Sequence, residues 1–170
     1  GVGESGLDFY YNHSEPNIQK KVFLKHIEAS QATLKPLIVH SRNAERDTLE
    51  ILSSEKKNKN FDVLMHCFTG SKVFAHSLID IDCYFSASGV ITFKKSTELA
   101  QTFKSIPNDK ILVETDSPYL SPEPLRGKIN VPSNIVHTVK FISILKETTD
   151  KDVEKFTTNN FQQLFKINIG

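Results

Sequence analysis

The run Pro36-Leu37-Ile38-Val39-His40 decides the fold class, because an uninterrupted apolar stretch ends there in a histidine. A short apolar run without polar alternation is typical of a strand buried on both faces of a parallel sheet. Other stretches share this character, and they lie at residues 2–4, 63–66, 84–88 and 111–116. The sequence therefore predicts a set of parallel strands, most of which end beside a residue with metal-ligand chemistry.

Segments with helical spacing of their apolar residues separate the predicted strands. They cover residues 18–34, 44–52, 73–81 and 97–103. The tail from Pro132 onward is predicted to be wholly helical, because proline fits a first helical position. Strand and helix alternate, which indicates an α/β fold. No repeat or linker interrupts the pattern, so residues 1–170 are predicted to form a single domain.

The composition is that of an ordinary globular protein, with 38% hydrophobic and 24% charged residues. The formal net charge is +1, so no overall field directs the chain to nucleic acid or to a membrane surface. Any polyanion must therefore be held by a local cluster of side chains. Cys67 and Cys83 lie in unrelated stretches, and no apolar run reaches the roughly 18 residues of a membrane span. We expect a cytoplasmic protein without a membrane segment.

Residues with metal-ligand chemistry stand at the carboxyl ends of the predicted strands, and they are Glu4, His40, His66 and Asp116. Active sites of parallel barrels are built at this edge. A single histidine at a strand end is more often a hydrogen-bonded core residue. The joint placement of histidines and carboxylates at these ends instead favours a shared site. Imidazoles and carboxylates together suit zinc, manganese or another divalent ion, and Glu4 can bridge two ions. The sequence predicts a hydrolytic metal centre with one or two divalent ions.

Two further carboxylates are candidates for supporting this centre. Glu114 lies two residues before Asp116, so along a strand both side chains would face the same way. We expect Glu114 to orient a metal ligand or a water molecule. Asp8 has two open interpretations, namely the same supporting role or the capping of a turn.

Cationic residues near the predicted strand ends are candidates for substrate contacts. Arg42 and Arg126 are predicted to bind phosphate, because a guanidinium matches phosphate oxygens, and Lys128 can add a point charge. The alternative for all three is a solvent-exposed residue without a binding role. An aromatic residue such as Phe68 or Tyr119 is a further candidate for stacking on a base, although core packing is the more common role.

Several motifs resemble those of the TatD family in both order and spacing. They are GESGLDFYY at 3–11, PLIVHSRNA at 36–44, HCFTG at 66–70, LVETDSPYL at 112–120, and RGK at 126–128 followed by Asn130 and Pro132. The resemblance covers essentially the whole chain. It implies a TIM barrel of the metal-dependent hydrolase type, similar in fold to amidohydrolases, with a site for one or two Zn, Mg or Mn ions.

The resemblance also implies an activity and a set of roles. Many family members act as deoxyribonucleases with 3′-to-5′ exonuclease activity, and the resemblance implies attack of a metal-activated water on phosphorus. Glu4 corresponds to the bridging carboxylate, His40 and His66 to ligands of one ion, and Asp116 to a ligand of the other ion and the proton acceptor. Hydrolysis of another phosphoester or of an amide remains an alternative. A non-catalytic fragment that serves folding or interaction is the other alternative.

One motif of the family is not found in this sequence. The family opens with a strand that ends in His-x-His, and no such pair occurs here. A complete eight-stranded barrel needs about 250 residues. We therefore expect the chain to correspond to the C-terminal two-thirds of a family member, with about five strand-helix units and without the N-terminal ones. An N-terminal fragment or a second copy of the chain would then cover the open barrel edge.

Overall fold

The computed structural model describes residues 1–11 and 13–168. Within them the chain forms two compact units, one from Gly1 to Tyr84 and the other from Phe85 onward. Each unit contains parallel strands and helices of its own.

The first unit alternates strand and helix. Strand β1 pairs in parallel with β2, and β2 pairs in parallel with β3. The elements are β1 (Val2–Asp8), α1 (Pro16–Thr33), β2 (Leu37–Arg42), α2 (Glu45–Asn58), β3 (Val63–Met65) and α3 (Lys72–Asp80). The predicted alternation of parallel strands with helices is confirmed in this unit.

The core of the first unit lies between the strands and one face of α1. Leu37 and Val39 are two residues apart on β2, while Phe23 and Ile27 are one turn apart on α1. All four side chains have 0% exposure. Helix α1 begins at Pro16. Proline lacks a backbone N–H, but at the first position of a helix that group would have no hydrogen-bond acceptor within the helix. This packing holds β1 beside β2, so that the polar side chains of the two strands meet.

In the second unit β4 pairs with β5 in parallel, and its residues up to 168 also form three α-helices. The elements are β4 (Cys83–Ala87), of which the last three residues belong to this unit, α4 (Thr97–Ser105), β5 (Ile111–Val113), α5 (Ile135–Leu145) and α6 (Asp150–Phe165). The α/β pattern predicted from the sequence is therefore confirmed here as well.

Within the described residues the tail is helical except at residues 146–149 and after α6 ends at Phe165. Pro132 opens a short 3-10 helix that leads into α5, which confirms its predicted place at a first helical position. The expectation of a wholly helical tail is wrong at residues 146–149, where Thr149 and Asp152 form a capping box that starts α6. Among the helices of the described residues, none combines the length and the apolar character that crossing a membrane requires.

The predicted ends of the first two strands are wrong. Strand β1 continues past Glu4 to Asp8, and β2 continues past His40 to Arg42. The strands extend because backbone pairing continues as far as Asp8 and Arg42, whereas hydrophobic periodicity detects only the apolar part of a strand. Glu4 and His40 are therefore strand residues rather than strand-end residues.

Candidate metal centre

Three of the predicted metal ligands come together in the first unit. His40 Nδ1 lies 3.2 Å from Glu4 Oε1, and His66 Nε2 lies 3.8 Å from Glu4 Oε2. The two imidazoles thus face different oxygens of the Glu4 carboxylate. The side chains of His40 and His66 are 35% and 22% exposed, and that of Glu4 is 49% exposed, so an ion can reach all three from solvent.

Asp8 supports His40 from the other side of the imidazole ring. Its Oδ2 lies 3.0 Å from His40 Nε2. Its Oδ1 accepts the backbone N–H groups of Tyr10 and Tyr11 at 2.9 and 3.0 Å. One oxygen of Asp8 thus caps the turn after β1, and the other contacts His40, so the supporting role at a metal site stays a prediction.

The charged groups of this cluster shift one another's pKa. Hydrogen bonding to Glu4 raises the pKa of His40, against the effect of burial, and Asp8 adds to the rise. The hydrogen bond from His40 lowers the pKa of Glu4, although burial opposes this. Burial acts to raise the pKa of Asp8, but the N–H groups of Tyr11 and Tyr10 and the His40 ring outweigh it, so this pKa is lowered. Both carboxylates are ionised at neutral pH, as metal ligands must be.

The chemistry of these side chains suits a divalent cation. Two imidazole nitrogens and the carboxylate of Glu4 converge, and a further carboxylate lies behind one imidazole. Nitrogen and oxygen donors of this kind favour zinc, manganese or another borderline ion, whereas magnesium prefers oxygen donors and water. The donor set therefore matches the predicted metal site.

The second unit places two carboxylates after β5. Strand β5 ends at Val113, so the expectation that Glu114 and Asp116 share a strand face is wrong. The chain turns instead, and Asp116 adopts the left-handed conformation with φ of 57°. One oxygen of each carboxylate nonetheless lies within 4.8 Å of the other. Glu114 also accepts a hydrogen bond from Ser86 Oγ on β4, which fixes its orientation.

Asn130 holds the loop that carries Asp116. Its Nδ2 donates to the carbonyl oxygens of Thr115 and Tyr119, at 2.8 and 2.7 Å, and the residue is 2% exposed. These bonds clamp both sides of Asp116. Sequence reasoning identifies Asn130 only as part of a motif, and no periodicity signal could assign it this role, because the contact depends on a folded loop.

The two arginines predicted to contact phosphate lie against aromatic rings. The Arg42 guanidinium carbon lies 3.9 Å from the ring centroid of Tyr10 and 4.7 Å from that of Tyr11. The Arg126 guanidinium carbon lies 3.6 Å from the Phe93 ring centroid. Such cation–π contacts orient a guanidinium while leaving its N–H groups able to donate.

The remaining candidates differ in exposure. Lys128 is exposed. Phe68 is 4% exposed and its ring centroid lies 5.9 Å from that of Phe74, so base stacking is wrong for Phe68 because the ring is buried. Tyr119 is 70% exposed.

Comparison with known proteins places these residues in a family context. The family described as TatD related DNase matches residues 1–166. The chain is 47% identical over 166 residues to an uncharacterized metal-dependent hydrolase of Buchnera aphidicola subsp. Acyrthosiphon pisum, covering 98% of this chain and 62% of that protein. It is 41% identical over 166 residues to the uncharacterized metal-dependent hydrolase YcfH of Escherichia coli K12, with the same coverage. The chain thus spans 62% of the length of these curated relatives.

Solved structures share the fold. The TatD homologue YjjV of Escherichia coli K12 superposes with a TM-score of 0.90 at 21% identity, over 99% of this chain and 64% of that one. A TatD-family hydrolase of Entamoeba histolytica gives 0.85 at 20% identity, over 97% of this chain and 62% of that one. At these identities the likeness concerns the fold alone, and it confirms the expected α/β barrel of the metal-dependent hydrolase type.

Proposed function

The chain belongs to the TatD family, and from this we propose that it is a metal-dependent phosphodiester hydrolase that acts on DNA. The observation that carries the proposal is the approach of His40 and His66 to opposite oxygens of Glu4. The family description and the names of the relatives as metal-dependent hydrolases support it.

We assign the metal ligands as Glu4, His40, His66 and Asp116, for one or two ions. Glu4 and the two histidines would hold one ion, and Asp116 would be a ligand of a second ion, with Glu4 shared as the family resemblance implies. Zinc or manganese suits the imidazoles better than magnesium does. A bound divalent ion supplies Lewis-acid stabilisation of phosphoryl oxygens and lowers the pKa of a coordinated water.

The side chains of the protein supply orientation and proton transfer. With a metal ion bound at Nδ1 of His40, on the side of Glu4, the ring would donate Nε2–H to Asp8, which would hold the ring in place. Asp116 takes the proton of the attacking water, for which a carboxylate within hydrogen-bond reach is required. Glu114 orients Asp116 or the attacking water. Glu114 can do so because a hydrogen bond from Ser86 holds its carboxylate in place.

Cationic side chains bind the substrate backbone. Arg42, Arg126 and Lys128 contact phosphate oxygens of the DNA strand, and both guanidinium groups are oriented by ring contacts. We propose that the strand is shortened from its 3′ end. A phosphodiester suits this set of residues, because a bound divalent ion together with Arg42, Arg126 and Lys128 would balance its negative charge.

Cleavage of a 5′-labelled single-stranded oligonucleotide tests the proposal. With Mn²⁺ or Zn²⁺ present, the chain should produce a ladder that shortens from the 3′ end, and chelation by EDTA should stop it. His66→Ala should abolish cleavage, whereas His76→Ala, which removes an exposed histidine of α3, should not. If a simple phosphodiester or an amide is hydrolysed and DNA is not, DNA is not the substrate and the proposed substrate class is wrong. No hydrolysis of any of them with metal bound would indicate a non-catalytic protein.

A further inference from the structure

Two neighbouring tyrosines after β1 expose large parts of their rings. Tyr10 is 55% exposed and Tyr11 is 56% exposed. Their ring centroids lie 4.9 Å apart with the planes at 89°. Aromatic side chains usually bury most of their area in a core or an interface. The Tyr11 ring also stacks on that of His13, with centroids 5.5 Å apart, so the remaining exposed surface of the two tyrosine rings is what a ligand can contact.

Arg42 completes this surface. Its guanidinium lies over Tyr10 and near Tyr11, at 3.9 and 4.7 Å from the ring centroids. We name these three residues the tyrosine–arginine patch. The patch combines ring surface, which attracts flat apolar groups, with a fixed cation, which attracts anions.

The patch is joined to the candidate metal centre by short, direct contacts. Asp8 accepts the backbone N–H groups of both tyrosines with one oxygen and contacts His40 with the other. Arg42 follows His40 by two residues on β2, so both side chains project from the same side of the strand, with roughly 7 Å between their positions. A ligand on the patch thus extends toward the metal centre.

We propose that the tyrosine–arginine patch binds single-stranded DNA beside the cleavage site, with a base stacked on the tyrosines and the adjoining phosphate on Arg42. The proposal rests on the hydrolase function proposed above. Stacking on an aromatic ring accepts every base, because every base has a π-face. A nuclease that removes successive nucleotides needs such sequence-independent contact.

Other classes of ligand match the patch less well. A cationic ligand would be repelled by Arg42, which already lies against Tyr10. A stable protein partner buries about 800 Å² on each side, far more than these three side chains offer. A nucleotide has both the flat ring and the anion that the patch accommodates.

Binding measured in EDTA separates this inference from catalysis. Fluorescence anisotropy would compare a short labelled oligothymidylate with an abasic oligomer of the same length, which keeps the phosphates and lacks the bases. Wild type should bind the oligothymidylate more tightly. Tyr10→Ala and Tyr11→Ala should each weaken that binding roughly fivefold to a hundredfold, and should weaken binding of the abasic oligomer much less, because Arg42 loses only a ring contact. Tyr10→Phe and Tyr11→Phe should largely keep the wild-type affinity. Arg42→Gln should weaken both.

Phe161→Ala is the matched control, since Phe161 is a partly exposed aromatic residue of α6 that should not affect binding of either oligomer. Circular dichroism checks that each variant is folded.

The double variant Tyr10→Ala/Tyr11→Ala decides the outcome. Unchanged binding of the oligothymidylate by this variant would overturn the inference, as would an equal loss of affinity for both oligomers. If DNA is cleaved with metal while the double variant binds normally, only this inference fails. Base-dependent binding without cleavage under any metal leaves the inference standing and removes the proposed function.

Discussion

Asp8 and His40 lie in contact through Oδ2 and Nε2 at 3.0 Å, and the second oxygen of Asp8 is held by two backbone N–H groups. Each ring nitrogen of His40 faces an ionised carboxylate, Nε2 facing Asp8 and Nδ1 facing Glu4 Oε1 at 3.2 Å, and these partners raise the pKa of the ring. A metal ion bound at Nδ1 would replace the proton there and leave Nε2–H donating to Asp8. The backbone turn after β1 thereby fixes which nitrogen of His40 can bind a metal.

Asp8→Asn should weaken metal binding. The asparagine oxygen can still accept from Tyr10 and Tyr11, so its amide group turns toward His40 and donates to Nε2. The proton of the ring then moves to Nδ1 and blocks it. We expect about a 10-fold to 100-fold loss of Zn²⁺ affinity, measured by isothermal titration calorimetry. Asp80→Asn, at an exposed position at the end of α3, should not change the affinity. Equal affinities for wild type and Asp8→Asn would contradict the orienting role.

Asn130→Ala should destabilise the loop that carries Asp116. The substitution leaves the carbonyl oxygens of Thr115 and Tyr119 without their donor in a buried place. Each unsatisfied carbonyl group should lower the free energy of unfolding by roughly 1–3 kcal/mol. Urea unfolding of the variant and of wild type measures this loss. Asn134→Ala removes only one donor, to Asn130 Oδ1, and should cost less. A loss in Asn130→Ala no larger than in Asn134→Ala would count against the clamp.

Lys146 should make the stability of the chain depend on pH in the alkaline range. Burial lowers the pKa of Lys146 from 10.5 to about 8. The folded state therefore binds fewer protons than the unfolded state between these values, and the free energy of unfolding should rise with pH across this window. The slope should lie well below the limit of about 1.4 kcal/mol per pH unit, because this side chain is only partly buried.

Lys146→Met removes the titrating group and should flatten that rise. Urea unfolding of both proteins from neutral pH to beyond the unfolded lysine pKa measures it, with Lys140→Met as the exposed control on α5. A difference between wild type and Lys146→Met that stays constant with pH would show that the ammonium group is not destabilised by burial.

The sequence predicted the alternation of strands and helices because apolar runs and turn residues are local signals. The run around His40 is one example, and the pattern around Ile111 is another. Strand ends were predicted less well. Glu4 and His40 continue into paired strand because hydrogen bonding between strands is independent of side-chain polarity. The single-domain assignment of residues 1–170 remains a prediction.

The residue types of the candidate site were also predictable, since His40, His66 and Glu4 follow or lie in the apolar runs. Their contacts in the first unit agree with the predicted cluster. Asn130 and the ring contacts of Arg42 were not predictable, because they join residues of distant segments through folded loops. The roles of Asp116, Arg126 and Lys128 remain predictions.

The central claim is that Glu4, His40 and His66 bind one divalent ion, and anomalous X-ray scattering from a zinc-soaked crystal tests it most directly. We predict a zinc peak about 2.0–2.2 Å from Nδ1 of His40, Nε2 of His66 and a carboxylate oxygen of Glu4, with Nε2 of His40 still bonded to Asp8. A well-ordered site without a zinc peak, or a zinc bound to His40 through Nε2 with Asp8 displaced, would contradict this account.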